Sequence, residues 1–437
     1  MTQPKFDAIR QRGSGWEFCV RQANIDALLM THNHFINRKR GYKSSGFQVL
    51  LHYSVLPSPL ERLLPSKMKI VLAFILAIVG VVSGDLKDLG YQNYNCPGLM
   101  GPSATVPTTA HSVRPADIKV VGALGDSLTA GNGADATTLN AVHSEYRGLS
   151  FPIGGDKGLE NHVTVPNVLL KYNSKLFGQS HGIGTQNTWS VAQLNAAVAG
   201  ATVSGLAAQA QDLVTKIQTH PQIDIKNDWK LIHIFIGSND ICIACLSKYH
   251  TPEIYETDLK AAIKILHDNL PRTIVSITSL FNMGILRIVD ATEPQCAVYH
   301  GVECKCMKET TFDINAACKA YQAAQMDIQT SGIYDDRPDF TFVVQPFLVN
   351  TTQPPYTADG KIDLSFFAPD CFHFSQYGHA ITAKALWNNM VQPIGAKTTV
   401  VNFSDPTTSL LCPASSCPFI RTTKNSANCA HYLTPAK

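Results

Sequence analysis

Four short apolar runs punctuate the chain from Ile118 onward: "IKVVGALG", "WKLIHIFIGSND", "RTIVSITSL" and "DFTFVVQPF". Each is apolar along its length rather than at alternate positions, the pattern of a strand buried on both faces. Longer segments with helical spacing separate or follow them: "VPNVLLKYN", "GLAAQAQDLVTKIQ", "DLKAAIKILHDNL" and "SQYGHAITAKALWNNMV". The intervening "WSVAQLNAAVAGAT" runs into a glycine turn. Strands alternating with helices imply a parallel sheet covered on both faces. They also imply where chemistry belongs, because the carboxyl ends of parallel strands share one edge.

Four separated blocks place small or polar residues at the end of an apolar run: Gly125-Asp126-Ser127-Leu128, Asn195 to Gly200, Gly237-Ser238-Asn239-Asp240, and Asp370-Cys371-Phe372-His373. Together they fit nucleophilic acyl transfer. A serine hydroxyl is a weak nucleophile at neutral pH and needs an adjacent base, so Ser127 requires a partner such as His373. Asp370, three residues earlier, can accept from Nδ1 and leave Nε2 free to face the serine. The backbone N–H groups of Ser127 and Gly200 and the side-chain amide of Asn239 would form the oxyanion hole. At Gly200 no Cβ would obstruct the substrate.

These blocks, in this order, resemble the GDSL or SGNH hydrolase family. Ser127, Gly200, Asn239 and His373 fall where that family has its four named residues, and Asp370 completes the triad. "YRGLSFPIGGD", "TVPNVL", "GSNDIC", "DCFHFSQYGHA" and "CPFIRTTKNS" are similar to the phospholipase B branch, so the resemblance covers residues 90 to 430. It implies a three-layer α/β/α sandwich with a mostly parallel, flavodoxin-like sheet. It also implies hydrolysis of fatty-acyl esters of phospholipids and lysophospholipids through an acyl-enzyme, at a lipid surface and with no metal or other cofactor. Two other readings share the scaffold: an esterase for short acyl groups on carbohydrates, and a catalytically silent lipid-binding protein. The intact set of five residues weighs against the silent protein.

Each residue also has a plainer reading. Ser127 could cap the following helix, Gly200 could serve a turn, and Asn239 and Asp240 could stabilise their own loop. Asp126 reads as a structural carboxylate bonding nearby backbone, and His379 as a helix residue. Cys371 reads as half of a disulfide pinning the catalytic loop. "GQSHG", residues 178–182, imitates the G-x-S-x-G elbow, but that elbow needs a strand before the serine and a helix after it. A helix-like segment precedes it and a loop follows, so Ser180 reads as a surface-loop serine.

Charge and cysteine content address compartment. The first 67 residues carry ten Lys/Arg and four Asp/Glu, a net of +6, whereas the whole chain is +3. The remainder is therefore net −3, and nothing in it favours nucleic-acid binding. "MKIVLAFILAIVGVVSG", residues 68–84, has a basic start, an apolar run too short to span a bilayer comfortably, and small residues at its end. It reads as a secretory signal peptide. Residues 1–67 are then a mistaken gene start, or else a real extension that keeps the run as an uncleaved type II membrane anchor. Their lack of periodicity favours the former. No apolar run lies near the C-terminus, so no anchor is expected there.

Eleven of twelve cysteines follow residue 84, an odd count that leaves at least one unpaired or joined to another chain. Zinc fits them poorly, because Cys242-x-x-Cys245 has no second pair at ligand spacing. Asn350 and Asn402 head glycosylation sequons, which have meaning in an exported chain. The expected organisation is an irregular lead-in over 85–116, a hydrolase domain over 117–395 and a Cys-containing tail over 396–437.

Overall fold

The computed structural model describes residues 86–433; the proposed extension 1–67 and signal peptide 68–84 lie outside them. Four parallel strands form the sheet: β1 (Ile118–Gly125), β2 (Trp229–Phe235), β3 (Thr273–Thr278) and β4 (Phe340–Gln345), in the order β1-β2-β3-β4. Every residue of β2, β3 and β4 is buried, as the unbroken apolar runs require. The free edge of β1 is covered by residues 177–198. There Phe177 and Asn195 make parallel bridges to Val120 and Ala123, and Val198 N–H donates to the Gly125 carbonyl (3.1 Å). β1 thus has neighbours on both sides, reached by connections that leave in opposite directions. That is the switch point of a flavodoxin-like sheet, where a crevice opens beyond the strand ends.

Nine helices of the described residues matter below. They are α1 (Ser127–Ala130), α2 (Val165–Tyr172), α3 (Leu206–Thr219), α4 (Ser238–Ile243), α5 (Pro252–Asn269), α6 (Ile285–Thr292), α7 (Pro294–Glu303), α8 (Ile314–Ser331) and α9 (Gln376–Val391). α3, α5 and α8 pack side by side in one layer, while α2 packs against α9 on the other side of the sheet. The helical segments read from periodicity appear as α2, α3, α5 and α9. "WSVAQLNAAVAGAT" supplies one helical turn, Trp189–Ala192, before its backbone turns off at Gln193, with φ 45°. Between β3 and β4 the chain makes three helices, α6, α7 and α8, which the strand–helix alternation does not assign.

The lead-in and the tail both pack on the central core. Tyr94 sits edge-on to Tyr172 of α2 and Trp387 of α9. From the tail, Phe403, Leu410 and Ile420 are buried in the same cluster. Disulfides join Cys96 to Cys412 and Cys417 to Cys429, so the tail is strapped down despite lacking helical periodicity. Three further pairs, Cys242–Cys304, Cys245–Cys306 and Cys296–Cys371, lie on the side of the molecule that carries the strand ends. Cys318 is the free, buried cysteine among the described residues. The C-x-x-C pair is therefore committed to two disulfides.

Candidate active site

β1 ends at Gly125, where backbone must pass close to two neighbours. A Cβ there would lie 2.3 Å from Thr129 Oγ1 and 2.4 Å from the Phe235 carbonyl oxygen, so only glycine fits. The side chain of Gln209, from α3, accepts from Gly125 N–H (2.8 Å) and donates to its carbonyl (2.9 Å), which holds the strand end. The chain then enters α1 with Asp126 as its cap: Oδ1 accepts from Leu128 N–H at 3.0 Å. Capping is therefore done by Asp126, and the Ser127 side chain is left available.

That hydroxyl lies 2.9 Å from His373 Nε2, although 246 residues separate the two in sequence. His373 Nδ1 lies 2.6 Å from Asp370 Oδ2. Asp370 Oδ1 accepts from the backbone N–H groups of Phe372 (3.0 Å) and His373 (3.1 Å). The carboxylate thus organises its own loop while gripping the ring. Burial would lower the His373 pKa, but the hydrogen bond and charge of Asp370 outweigh it and hold the imidazole above its ordinary value. Burial would likewise raise Asp370, yet its bonds to His373 and to backbone N–H groups keep it below the usual carboxylate range. Ser127 and His373 are each 7% exposed, so both sit at the floor of a recess.

The other two blocks adjoin the same strand end. Gly200 occupies a turn closed by Ala201 N–H donating to the Val198 carbonyl (3.1 Å), and its φ of 75° is the left-handed region that favours glycine. A Cβ at Gly200 would meet nothing within 4 Å. Backbone conformation, rather than crowding, is the constraint at this position. Asn239, the second residue of α4, donates from Nδ2 to the Ala201 carbonyl (2.9 Å), which ties the second block to the third. Among the described residues no protein group accepts from the N–H of Ser127 or of Gly200.

Several supports were not legible as such. Arg147 is fully buried and donates to the Glu145 carboxylate (2.7 and 2.9 Å) and to the carbonyls of Gly184 (2.9 Å), Asn195 (3.0 Å) and Ala197 (2.8 Å). It therefore clamps the segment that leads to Gly200. Asp240 does more than steady its own loop: Oδ2 accepts from Val203 N–H (3.0 Å) and Oδ1 lies 3.1 Å from His250 Nδ1. His300 Nε2 lies 2.9 Å from the Cys371 carbonyl, beside the Cys296–Cys371 disulfide that pins the loop of Asp370 and His373. Arg147 stands in "YRGLSFPIGGD", a block similar to the phospholipase B branch, but nothing in that block tells of the clamp.

Ser180 requires a correction. It lies in a loop as expected, but it is fully buried rather than on the surface; its hydroxyl packs near the Ile153 carbonyl and the Asn195 side chain, 3.5 and 3.4 Å away. His379 is a buried helix residue of α9 whose pKa burial pushes down to about 3. The sequon residues Asn350 and Asn402 are both exposed. A small, mostly apolar crevice adjoins Ser127 and His373, lined by Leu128, Ser238, Phe281, Met283, Leu286, Phe372 and Phe374. Leu128 follows the serine, and the last two phenylalanines flank His373.

Residues 121–386 match the family of GDSL-like lipases and acylhydrolases. The chain belongs to that family. This GDSL-like hydrolase is 42% identical over 347 residues to mouse (Mus musculus) "Phospholipase B1, membrane-associated", a match spanning 77% of the chain and 23% of that protein. It is 41% identical over 342 residues to the human (Homo sapiens) protein of the same name, across 76% of the chain and 23% of the relative. The hydrolase thus spans about a quarter of the length of the curated relatives it matches. No helix among its described residues is long and apolar enough to cross a membrane.

Proposed function

We propose that this GDSL-like hydrolase cleaves fatty-acyl esters of phospholipids and lysophospholipids through an acyl-enzyme on Ser127. The observation that carries the reading is the unbroken chain from Ser127 Oγ to His373 Nε2 (2.9 Å) and from His373 Nδ1 to Asp370 (2.6 Å). Ser127 Oγ attacks the ester carbonyl carbon as its proton passes to His373 Nε2. The imidazolium is stabilised by Asp370, and the carbonyl oxygen takes negative charge within reach of N–H donors from Ser127, Gly200 and Asn239. Collapse breaks the ester bond, and the departing alcohol leaves with the proton from His373. Water then gives a proton to His373 and attacks the acyl carbon; the second collapse breaks the bond to Ser127 Oγ, which takes that proton back from His373 as the fatty acid leaves. No step requires a metal or another cofactor.

The apolar side chains that flank the serine and histidine, Leu128, Phe372 and Phe374, favour an acyl group over a sugar beside the reacting carbon. Phospholipid as the substrate class is supported by the relatives' names. Export is supported by five disulfides, which persist in oxidising compartments, and by the exposure of the sequon residues Asn350 and Asn402. Turnover on lysophosphatidylcholine should exceed that on acetylated sugars, and a fluorophosphonate should label the wild type but not Ser127→Ala. A folded wild type that resists the label would overturn the reading. N-terminal sequencing of the product made in a secreting cell should give a start near Asp85; a start at Met1 would support the anchored alternative instead.

A further inference from the structure

The four most exposed large apolar side chains of the described residues are Tyr249 (67%), Leu246, Val298 and Val302 (63% each). They are not scattered. Leu246 and Tyr249 follow α4, the helix that carries Asn239, while Val298 and Val302 lie on α7. The disulfides Cys242–Cys304 and Cys245–Cys306 staple these two segments together, with Cα separations of 4.3 and 5.6 Å. On α7 the buried residues are Cys296, His300 and Gly301, and the first two bind the loop of Asp370 and His373 through Cys371. Val298 and Val302, four residues apart, share the opposite, solvent-facing side. The result is a rigid apolar cap fixed to the loop that holds Asp370 and His373.

We propose that this cap is the surface by which the enzyme docks on a phospholipid aggregate, with Leu246, Tyr249, Val298 and Val302 inserting among the lipids. The proposal rests on the lipid-ester reading above, because it is the acyl substrate that brings such a surface to the catalytic loop. Exposed apolar groups concentrated at one place mark an interaction site more often than chance solvent exposure. The charges among them are of both signs, exposed Lys248, Lys305 and Lys308 against exposed Glu303 and Glu309. Such a mixed field favours a zwitterionic surface held by apolar insertion over an anionic one held by charge. Disulfide stapling suits the task, since a preformed cap loses little conformational freedom on docking.

The test uses the full chain carrying Ser127→Ala, so that bound lipid is not consumed, and sedimentation with phosphatidylcholine vesicles. Burying one such side chain gains about tenfold in partition, so Leu246→Asp, Val298→Asp and Val302→Asp combined should weaken binding by at least about tenfold. Binding by the parent should persist at high salt. In the Ser127 enzyme the same three substitutions should leave turnover on a water-soluble short-chain ester within about twofold, which also shows that the variant folds. Vesicle binding unchanged in the triple variant would overturn the proposal. So would binding that requires anionic lipid and vanishes with salt, or a variant whose one defect is loss of self-association. An enzyme inert towards every ester whose vesicle binding still depends on these side chains would sink the catalytic reading and leave the docking surface standing.

Discussion

Replacing Asp370 with asparagine isolates one link of the proposed mechanism. Asparagine is nearly isosteric, and its Oδ1 can keep both bonds from the backbone N–H groups of Phe372 and His373. The loop should therefore hold its shape. What changes is the atom 2.6 Å from His373 Nδ1, which becomes an N–H donor instead of an acceptor. Two donors cannot face each other, so Nδ1 must give up its proton and Nε2 must carry it. Nε2–H then points at Ser127, and the base that should take the serine proton is blocked. In serine hydrolases with this arrangement the change lowers turnover about 10⁴-fold. Loss of about 10³-fold or more is expected here, roughly 4 kcal/mol in the barrier. The pH profile gives a second signature. Wild-type His373 must be neutral to act as base and its pKa is held up by Asp370, so the acid limb of kcat/KM should lie above the ordinary imidazole range. Without the carboxylate, burial, the largest influence and one that lowers the pKa, is opposed only by the smaller pulls of Glu303 and Asp126, so the limb should move to lower pH. Steady-state kinetics on a soluble ester between pH 4 and pH 9, with circular dichroism as a fold control, would read both. Turnover within tenfold of wild type, or an acid limb that stays in place, would refute Asp370 as the residue that orients the base.

Three other perturbations probe the supports. Converting Cys296 and Cys371 to serine opens a crosslink across 75 residues, for which loop-closure entropy gives up to about 4 kcal/mol of stability; denaturant unfolding should show the loss, with slower fluorophosphonate labelling as the catalytic loop loosens. Arg147→Met leaves Glu145 and three carbonyls without their buried donor, so chemical denaturation should report a loss of about 3 kcal/mol or more, with turnover falling further than KM rises. Asp126 is fully buried and pushed up to about 7, so between its unfolded value and pH 7 the folded state holds the extra proton and stability drains away as pH rises; Asp126→Asn keeps an acceptor for Leu128 N–H and should therefore gain in melting temperature relative to wild type at pH 8 more than at pH 5.

The parts of this molecule that were legible in its sequence are those governed by short-range pattern. Uninterrupted β-branched runs such as "RTIVSITSL" have one economical fate, a strand buried on both faces, and glycine or serine at their ends marks the edge where side chains can meet a ligand. Ser127, Asn239, Asp370 and His373 could be nominated because each stands in a block whose local chemistry is peculiar. The helices α6 and α7 were hidden for physical reasons: α6, with Ile285, Leu286 and Val289 buried, is only 8 residues long and too short to set up a repeating period, and the interior of α7 is Cys296, His300 and Gly301 rather than large apolar side chains. Ser180 was misplaced because small polar residues in a loop usually face water. Here residues 177–198 double as the outer edge of β1, which draws the loop into the core.

What no local pattern could supply is the set of braces that hold the four blocks in register. Arg147 reaches 48 and 50 residues ahead to the carbonyls of Asn195 and Ala197, Asp240 reaches back to Val203, and His300 reaches 71 residues ahead to Cys371. Each joins the block of one strand end to a segment outside it, and each is polar and buried, where an unpaired partner is expensive. That cost makes the braces directional: a clamp that must satisfy three carbonyls at once tolerates one backbone path, not a family of them. An oxyanion site needs such fixity, because its donors stabilise the transition state only if they are aimed before charge develops and need no reorganisation afterwards. The division of labour follows. In the proposed mechanism a few residues at the strand ends act on the ester, while a larger number of buried polar residues behind them limit how far those few can move.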